Sequence, residues 1–188
     1  LVIQYSGGDD MVILIAGKTH TGKTRLAQMI LEKYGYPYLS LDHLKMGLIR
    51  SGMTRLTPED DAELTPYLWR IAREIVKTAV ENGQDLTVEG CYIPFDCADD
   101  FGPGYIENIR RICLVMSEKY IREHTADICG FENIIEKRMS GGIDSEELIR
   151  GNARTLELCR RCGFPYHLFD GEYDIESILS DKGELDIK

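Results

Sequence analysis

The feature that most constrains this chain is a short apolar run that leads directly into a glycine-rich loop. Residues Met11 to Ala16 are apolar and partly β-branched, as is typical of a buried parallel strand. The next residues, GKTHTGKT from Gly17 to Thr24, fit the pattern G-x-x-x-x-G-K-[ST] without a mismatch. A helix is expected from Gly22 or Lys23 to about Tyr34. The sequence therefore predicts a strand, a loop and a helix in the order that suits a phosphate site.

The composition of this loop suits the phosphates of a nucleotide. Glycines let the backbone curl so that successive amide groups point inward, and the helix N-terminus that follows favours anions. Lys23 is expected to reach the β and γ phosphates, and the Thr24 hydroxyl is expected to bind Mg²⁺. We predict that the whole loop contacts the nucleotide: Gly17, Lys18, Thr19, His20, Thr21, Gly22, Lys23 and Thr24.

The rest of the chain alternates between predicted strands and helices. Further strands are predicted at YPYLSLD, which ends at Asp42, and at DLTVEG, RICLVMS and FPYHLFD. Helices are predicted in HLKMGLIRSG up to Gly52, from Thr57 and Pro58 to Asn82 and Gly83, from Ser145 to Cys162, and from Ile175 to Leu179. This alternation predicts a three-layer α/β sandwich of about five parallel strands with helices on both faces. The 188 residues are expected to form one domain, with residues 1–10 as an N-terminal arm of undefined role.

Composition narrows the class of partner. The formal net charge is −10 and the isoelectric point is about 4.9, which disfavours binding to nucleic acids or anionic membranes through a general cationic surface. No apolar run reaches the roughly 18 residues that a membrane-spanning helix needs, and no secretory signal is recognisable. A cytoplasmic protein is therefore expected, and both a monomer and a homodimer are compatible with the sequence.

The cysteines do not form a regular framework. There are six of them, and their scattered positions favour reduced thiols over disulfides. Cys159 and Cys162 form one C-x-x-C at the end of a predicted helix, without a second ligand pair at similar spacing. We interpret them as two partly buried thiols and leave a redox or metal role open.

Two carboxylates follow predicted strands. Asp42 ends the second strand and Glu89 ends the third. Because ligands collect at the carboxyl ends of strands in an open parallel sheet, both carboxylates are expected to face the phosphates. The alternative for Asp42 is that it only caps the helix that follows it.

Taken in order, these motifs resemble those of the P-loop small-molecule kinases, the group that contains adenylate, shikimate and gluconate kinases and the 2-phosphoglycerate kinase. The resemblance covers Met11 to about Leu179. It rests on the glycine-rich loop, on LSLDHLKMGLIRSG after the second strand, on VEG at the end of the third, and on FDG at the end of the fifth. It implies a P-loop NTPase fold, ATP and Mg²⁺ as cofactors, a small-molecule phosphoryl acceptor, and a helical lid at about residues 118–142.

The resemblance also implies roles for individual residues. Asp42 would orient or deprotonate an acceptor alcohol, and Glu89 would hold a water bound to Mg²⁺, although aspartate is commoner at that place. The segment DHLKMGLIRSG lies where the adenylate kinases have the arginine that binds the acceptor phosphate, and its cations are Lys45 and Arg50. The remaining candidates are Arg50 and Arg73 for an anionic group of the acceptor, Arg122 and Arg154 for the migrating phosphoryl group, and Gly171 for the adenine ring.

Three other functions remain open. The first is a nucleoside monophosphate kinase, disfavoured by a lid that lacks the usual arginine spacing of that group. The second is a toxin-like kinase acting on a sugar nucleotide, and the third, from another class, is a nucleotide-dependent regulatory module. The absence of a guanine-reading [NT]-K-x-D before the last strand argues against a GTPase switch and favours ATP. The leading hypothesis is an ATP-dependent kinase acting on a hydroxyl of a small anionic metabolite.

Overall fold

The computed structural model of the chain describes residues 11–130 and 144–180, together with residues 185 and 187. Its centre is a five-stranded sheet in which every pairing is parallel. The strands are β1 (Val12–Gly17), β2 (Tyr38–Ser40), β3 (Leu86–Glu89), β4 (Ile109–Met116) and β5 (Tyr166–Phe169). They lie in the order β2-β3-β1-β4-β5, so the strand that leads into the glycine-rich loop is central.

Helices connect the strands. They are α1 (Lys23–Tyr34), α2 (Leu41–Arg50), α3 (Asp61–Glu81), α4 (Pro103–Ile106), α5 (Glu118–Gly130) and α6 (Ser145–Cys162), with short 3₁₀ helices at Cys97–Asp100 and Ile175–Leu179. The predicted α/β architecture is thereby confirmed. Neither α4 nor the first 3₁₀ helix was predicted; each is about one turn long and lies between β3 and β4. Within the described residues, no helix combines the length and the apolar character needed to cross a membrane.

The central strand divides the apolar interior into two cores. Val12, Leu14 and Ala16 pack with residues of α3 on one side of the sheet. Ile13 and Ile15 pack with residues of α1 on the other side. Every one of these β1 side chains is at most 1% exposed, because side chains alternate between the faces of a strand that helices cover on both sides.

The predicted boundary between the second strand and its helix is wrong. Asp42 does not end a strand: β2 stops at Ser40, and α2 begins at Leu41. Ser40 is the N-cap residue of α2. Leu41 is fully buried and packs closely on Gly90: a Cβ added at Gly90 would lie 2.7 Å from the Cβ of Leu41. Burial of Leu41 therefore starts the helix early and places Asp42 in its first turn, where a negative charge is favourable.

The predicted start of the long helix is also wrong. α3 begins at Asp61 and not at Pro58. The Asp60 carboxylate accepts hydrogen bonds from the backbone N and the Oγ1 of Thr57, at 2.7 and 3.0 Å. These bonds close a separate turn before the helix, because an aspartate can bond to backbone N–H groups close by in the sequence.

The helix before β5 has the predicted bounds. The Asp144 Oδ1 atom accepts hydrogen bonds from the backbone N of Glu146 and Glu147, at 2.9 and 3.3 Å, and so caps α6. Gly163, with a φ of 62°, ends it. The five cysteines whose side chains the structure describes are free thiols; within the C-x-x-C, Cys159 is buried and Cys162 is exposed.

Candidate active site

The carboxyl ends of β1, β2 and β3 lie side by side and carry the predicted loop and carboxylates. Glu89, the last residue of β3, is in register with Ser40 of β2 and with Ile15 of β1. The glycine-rich loop leaves β1 two residues further on. Asp42 follows β2 in the first turn of α2. The sheet thus brings a phosphate-binding loop and two carboxylates to one edge.

The loop adopts a conformation that requires glycine at the two glycine positions of its pattern. Gly17 has a φ of 142°, and a Cβ there would lie 2.6 Å from the carbonyl oxygen of Leu114. Gly22 has a φ of 92°, and a Cβ there would collide with the hydroxyl of Tyr173. His20 is also left-handed, with a φ of 65°. Side chains other than glycine adopt such positive φ values only at a cost in free energy.

Lys23 is the first residue of α1 and is only 5% exposed. Its Nζ atom donates a hydrogen bond of 2.8 Å to the carbonyl oxygen of Lys18. The Oγ1 atom of the fully buried Thr21 donates to the same carbonyl at 2.8 Å. The loop therefore folds back on the ammonium group, and its hydrogen bonds hold the ammonium in the concave side of the turn.

The electrostatic surroundings of Lys23 link the loop to the carboxylates. Burial lowers the pKa of Lys23, but the neighbouring Cys91, Glu89 and Asp42 together outweigh burial, and the pKa is raised. The ammonium is therefore kept charged beside groups that follow two different strands.

Asp42 belongs to a network of polar side chains from α2, α3 and the segment after β3. The Oδ1 atom of Asp42 lies 3.4 Å from the Nζ of Lys45. Lys45 donates a hydrogen bond of 2.7 Å to the hydroxyl of Tyr92, which donates one of 2.9 Å to the Oδ1 of Asp61. Burial, followed by the effect of Asp61, raises the pKa of Tyr92, so this side chain stays a neutral hydroxyl.

The residues predicted to hold Mg²⁺ are both oxygen donors at this edge. Thr24 follows Lys23 in the first turn of α1, and Glu89 is 1% exposed at the end of β3. In nucleotide sites Mg²⁺ keeps several waters and takes one or two protein oxygens in addition to phosphate oxygens. A hydroxyl and a carboxylate fit that requirement, and within the described residues no group of three or more acidic, His or Cys side chains forms a separate metal site.

An aromatic cluster borders the other side of the loop. The hydroxyl of Tyr173 lies 3.5 Å from the carbonyl oxygen of Thr21, and the Tyr173 ring packs on Phe169 with centroids 4.6 Å apart. Tyr120 lies 6.5 Å from Tyr173, and His124 stacks on Tyr120 at 4.5 Å. Burial raises the pKa of Tyr173 to about 12. Gly171, the predicted adenine contact, is exposed in the same segment after β5.

The two arginines predicted to act on the phosphoryl group lie on α5 and α6. Arg122 is about half exposed and pairs with Glu118 and Glu146, at 2.9 and 2.7 Å, which joins the two helices. Arg154 is exposed on α6. One turn earlier, Gly151 packs so closely on Lys18 that a Cβ would lie 2.8 Å from the Lys18 Cε atom. The loop and α6 are therefore in direct contact.

The predicted lid is only partly described. Its first half is α5, in which Tyr120, Ile121 and Ile128 are buried against the core. Its second half, residues 131–142, lies outside the described residues, as does the predicted N-terminal arm.

The two arginines predicted to bind an anionic acceptor lie at different places. Arg50 is exposed at the last residue of α2. Arg73 is on α3, where its side chain contacts Glu74 at 3.0 Å and Asp100 at 3.1 Å. Asp100 also accepts a hydrogen bond of 2.7 Å from the buried Trp69. Arg73 is thus tied into a structural network on the flank of the sheet, and binding of the acceptor would have to compete with these two carboxylates.

Sequence reasoning overlooked three residues at this edge: Cys91, Tyr92 and Tyr173. Cys91 and Tyr92 come directly after the strand-ending VEG, so the rule that ligands collect at strand ends also covers them. Tyr173 stands in FDGEYD, the motif that drew attention only to its glycine. Its position over the loop has no signal in the local sequence.

The loop, the strand order and the helical layers define an α/β protein of the P-loop NTPase class. The fold is the one expected from the resemblance to P-loop small-molecule kinases. No protein-family model matches the sequence, and no curated protein matches it significantly.

Comparison with solved structures agrees with this class. The chain is similar to a gluconokinase from Sinorhizobium meliloti, with a TM-score of 0.51, 16% identity, and coverage of 90% of this chain and 87% of that one. It is also similar to a candidate kinase from Chloroflexus aurantiacus (TM-score 0.55, 21% identity, 92% and 96% covered). A sugar kinase from a Janibacter species is a third (TM-score 0.52, 16% identity, 90% and 92% covered). At these identities the similarity is one of fold.

Proposed function

We propose that the protein is an ATP- and Mg²⁺-dependent phosphotransferase that acts on a hydroxyl group of a small anionic metabolite. The observation that carries this proposal is the common neighbourhood of Lys23 and Asp42. A buried ammonium at the end of the glycine-rich loop is within electrostatic range of a carboxylate that is 30% exposed and therefore accessible to an acceptor. Such a pair supplies the two functions that phosphoryl transfer to an alcohol needs, which are stabilisation of phosphate charge and acceptance of a proton.

The reaction follows from these positions. The acceptor oxygen attacks the γ phosphorus of ATP, its proton passes to the Asp42 carboxylate, and ADP leaves. Lys23 and the inward amides of the loop stabilise the negative charge on the phosphates. Arg122 and Arg154 would add positive charge at the migrating phosphoryl group if α5 and α6 approach the nucleotide when it binds. Arg122 would then have to leave Glu118 and Glu146, with which it is paired, for the phosphoryl group.

Mg²⁺ would be held by Thr24 and by Glu89, the latter directly or through a water. When bound, the ion neutralises charge on the β and γ phosphates. Glu89 is buried beside the Lys23 ammonium, and Mg²⁺ would add a second cation near its carboxylate, which lowers the cost of an ionised group in the interior.

The state of Lys45 favours an alcohol over a nucleoside monophosphate. Lys45 belongs to the segment that carries the acceptor-phosphate arginine in the adenylate kinases. Here its ammonium contacts Asp42 and donates to Tyr92, so an acceptor phosphate would have to compete with both. A phosphate acceptor is also ionised at neutral pH and needs no base, whereas an alcohol needs one. The similarity in fold to a gluconokinase and to a sugar kinase is in keeping with an alcohol.

An ADP-release assay over a panel of acceptors tests the proposal. The panel contains gluconate, shikimate, 2-phosphoglycerate, AMP and CMP, each with Mg²⁺-ATP. At least one of the hydroxyl acceptors is expected to stimulate ADP release, and Asp42→Asn is expected to lower that turnover by about 10²-fold or more. Lys23→Ala is expected to abolish it, because Lys23 serves every acceptor.

A matched variant separates a local effect from a change of overall charge. Asp99→Asn removes an exposed carboxylate from the 3₁₀ helix at Cys97–Asp100 and should leave turnover unchanged. Stimulation by AMP or CMP alone would contradict the alcohol acceptor. A loss of less than about threefold in Asp42→Asn would return Asp42 to a purely structural role. ATP turnover that responds to none of the panel but to a protein fraction would favour the regulatory module.

A further inference from the structure

Three side chains connect Asp42 to the start of α3 by hydrogen bonds and an ion pair. Asp61 is the first residue of α3, Tyr92 follows β3, and Lys45 lies one turn after Asp42 on α2. Successive contacts measure 2.9 Å from Tyr92 to Asp61, 2.7 Å from Lys45 to Tyr92 and 3.4 Å from Lys45 to Asp42. Three separate elements of the fold thus meet at the carboxylate proposed to act as the base.

The order of donors and acceptors in this chain is fixed. A tyrosine hydroxyl has one proton, and the proton of Tyr92 points to the Asp61 carboxylate. The oxygen of Tyr92 therefore presents its lone pair to Lys45, which can only donate. Lys45 is 14% exposed, so its ammonium has little access to water, and its Nζ atom lies 3.4 Å from the Oδ1 of Asp42. The chain thus runs from a carboxylate through a neutral hydroxyl and an ammonium to a second carboxylate, an order in which each contact favours the next.

We propose that Asp61, Tyr92 and Lys45 are positioning residues that hold the Asp42 carboxylate in the orientation required to take the acceptor proton. In this arrangement Lys45 does not bind the acceptor; it restricts the rotation of Asp42, and Tyr92 restricts Lys45. A 30% exposed aspartate in the first turn of a helix would otherwise have several side-chain orientations available. Loss of alignment by about 1 Å at a reacting group is enough to lower a rate by roughly 10²-fold.

This inference rests on the proposed function, and the experiment separates the two. Steady-state kinetics are measured with the hydroxyl acceptor of the panel that gives the highest rate, for Lys45→Met, Lys45→Arg and Tyr92→Phe. Lys45→Met should lower kcat by roughly 10- to 100-fold and Tyr92→Phe by roughly tenfold, while KM for ATP changes by less than about twofold. Lys45→Arg keeps the charge and should restore most of the rate.

A structural role alone would not give the following pattern. The same substitutions are made in an Asp42→Asn background, where each should change kcat by less than about threefold, because residues that act through a common partner are not additive. Tyr105→Phe is the matched control: it removes a tyrosine hydroxyl that donates to Glu81 at 2.6 Å, far along α3 from Asp61, and should leave kcat unchanged. Losses of equal size in both backgrounds would overturn the inference, as would a Tyr92→Phe enzyme with unaltered kcat.

If the wild-type protein phosphorylates no acceptor of the panel, the proposed function fails, and positioning of Asp42 is tested by stability. Melting temperatures are then compared for Asp42→Asn, Lys45→Met and the double variant. A deviation from additivity of about 2 °C or more would support the coupling of the two side chains, and additive shifts would overturn it.

Discussion

Gly22→Ala is predicted to destabilise the protein more than a positive φ alone explains. The φ of 92° at Gly22 is unfavourable for any residue with a Cβ, at about 1 kcal/mol once the lower entropy of the unfolded alanine chain is counted. The new methyl group would also collide with the Tyr173 hydroxyl and would lie 3.0 Å from its Cζ. Tyr173 must therefore move away from Phe169.

The size of the second effect follows from the aromatic contacts. Tyr173 packs on Phe169 at 4.6 Å, and an aromatic pair contributes about 0.5–1.5 kcal/mol. Added to the backbone cost, loss of this contact gives a total loss in free energy of unfolding of about 1.5–2.5 kcal/mol, or roughly 3–10 °C in melting temperature for a chain of this size. Thermal unfolding followed by circular dichroism measures it without any nucleotide.

Gly163→Ala is the matched control. Gly163 has a φ of 62°, and an added Cβ would meet nothing within 4 Å, so the substitution has only the backbone cost of about 1 kcal/mol. In a Tyr173→Ala background, the cost of Gly22→Ala should fall towards that of Gly163→Ala, with a contact of 3.3 Å to the Cδ1 of Ile175 remaining. Equal melting temperatures for Gly22→Ala and Gly163→Ala in the wild-type background would refute the contact between Tyr173 and the loop.

Three further predictions concern single side chains. The exposed Cys91 should react with N-ethylmaleimide, and Mg²⁺-ATP should slow this labelling several-fold. The exposed Cys162 is the control, because its labelling should not change when nucleotide is added; peptide mass mapping measures both. Equal labelling of Cys91 with and without nucleotide would count against its lying at the phosphate site. The pKa of Tyr173 is raised to about 12, so its contribution to stability is complete below about pH 10 and is lost towards pH 12. Urea unfolding at a series of pH values should therefore show a smaller fall in the free energy of unfolding for Tyr173→Phe than for the wild type in that window. An equal fall in both proteins would contradict the prediction. Asp100→Ala should lower the free energy of unfolding by about 1–3 kcal/mol and alter the fluorescence of Trp69, the single tryptophan. Arg73→Ala breaks only a partly exposed ion pair with Asp100 and should cost less than about 1 kcal/mol. Equal losses would show that the hydrogen bond from Trp69 to Asp100 is not the stronger of the two contacts.

Much of the fold could be predicted because local signals agreed with the tertiary structure. The bounds of α6 were predicted correctly, since it starts after a capping aspartate and ends at a glycine with positive φ. The start of α2 was not predicted, because Leu41 reads equally well as a strand residue. Only its packing against Gly90 places it in a helix.

The candidate site could be predicted only as far as strand ends define it. The loop and both carboxylates do lie at the carboxyl edge of the sheet, since parallel strands bring those positions together. The partners of Asp42 could not be predicted in the same way. Tyr92 bonds to Lys45 across 47 positions of sequence and to Asp61 across 31, and Tyr173 reaches Thr21 across 152. Such contacts depend on the angles at which helices pack, and no local pattern specifies those angles.

The central place of β1 has a consequence for how the protein tolerates mutation. Alternate side chains of this strand are embedded in two separate apolar cores, so the strand keeps one complete set of packing contacts when the other is damaged. The glycine-rich loop is attached to the end of this strand, so its position is also stabilised from both sides of the sheet. Substitutions such as Leu14→Ala or Ile15→Val would therefore reduce overall stability well before they shift the backbone of the glycine-rich loop.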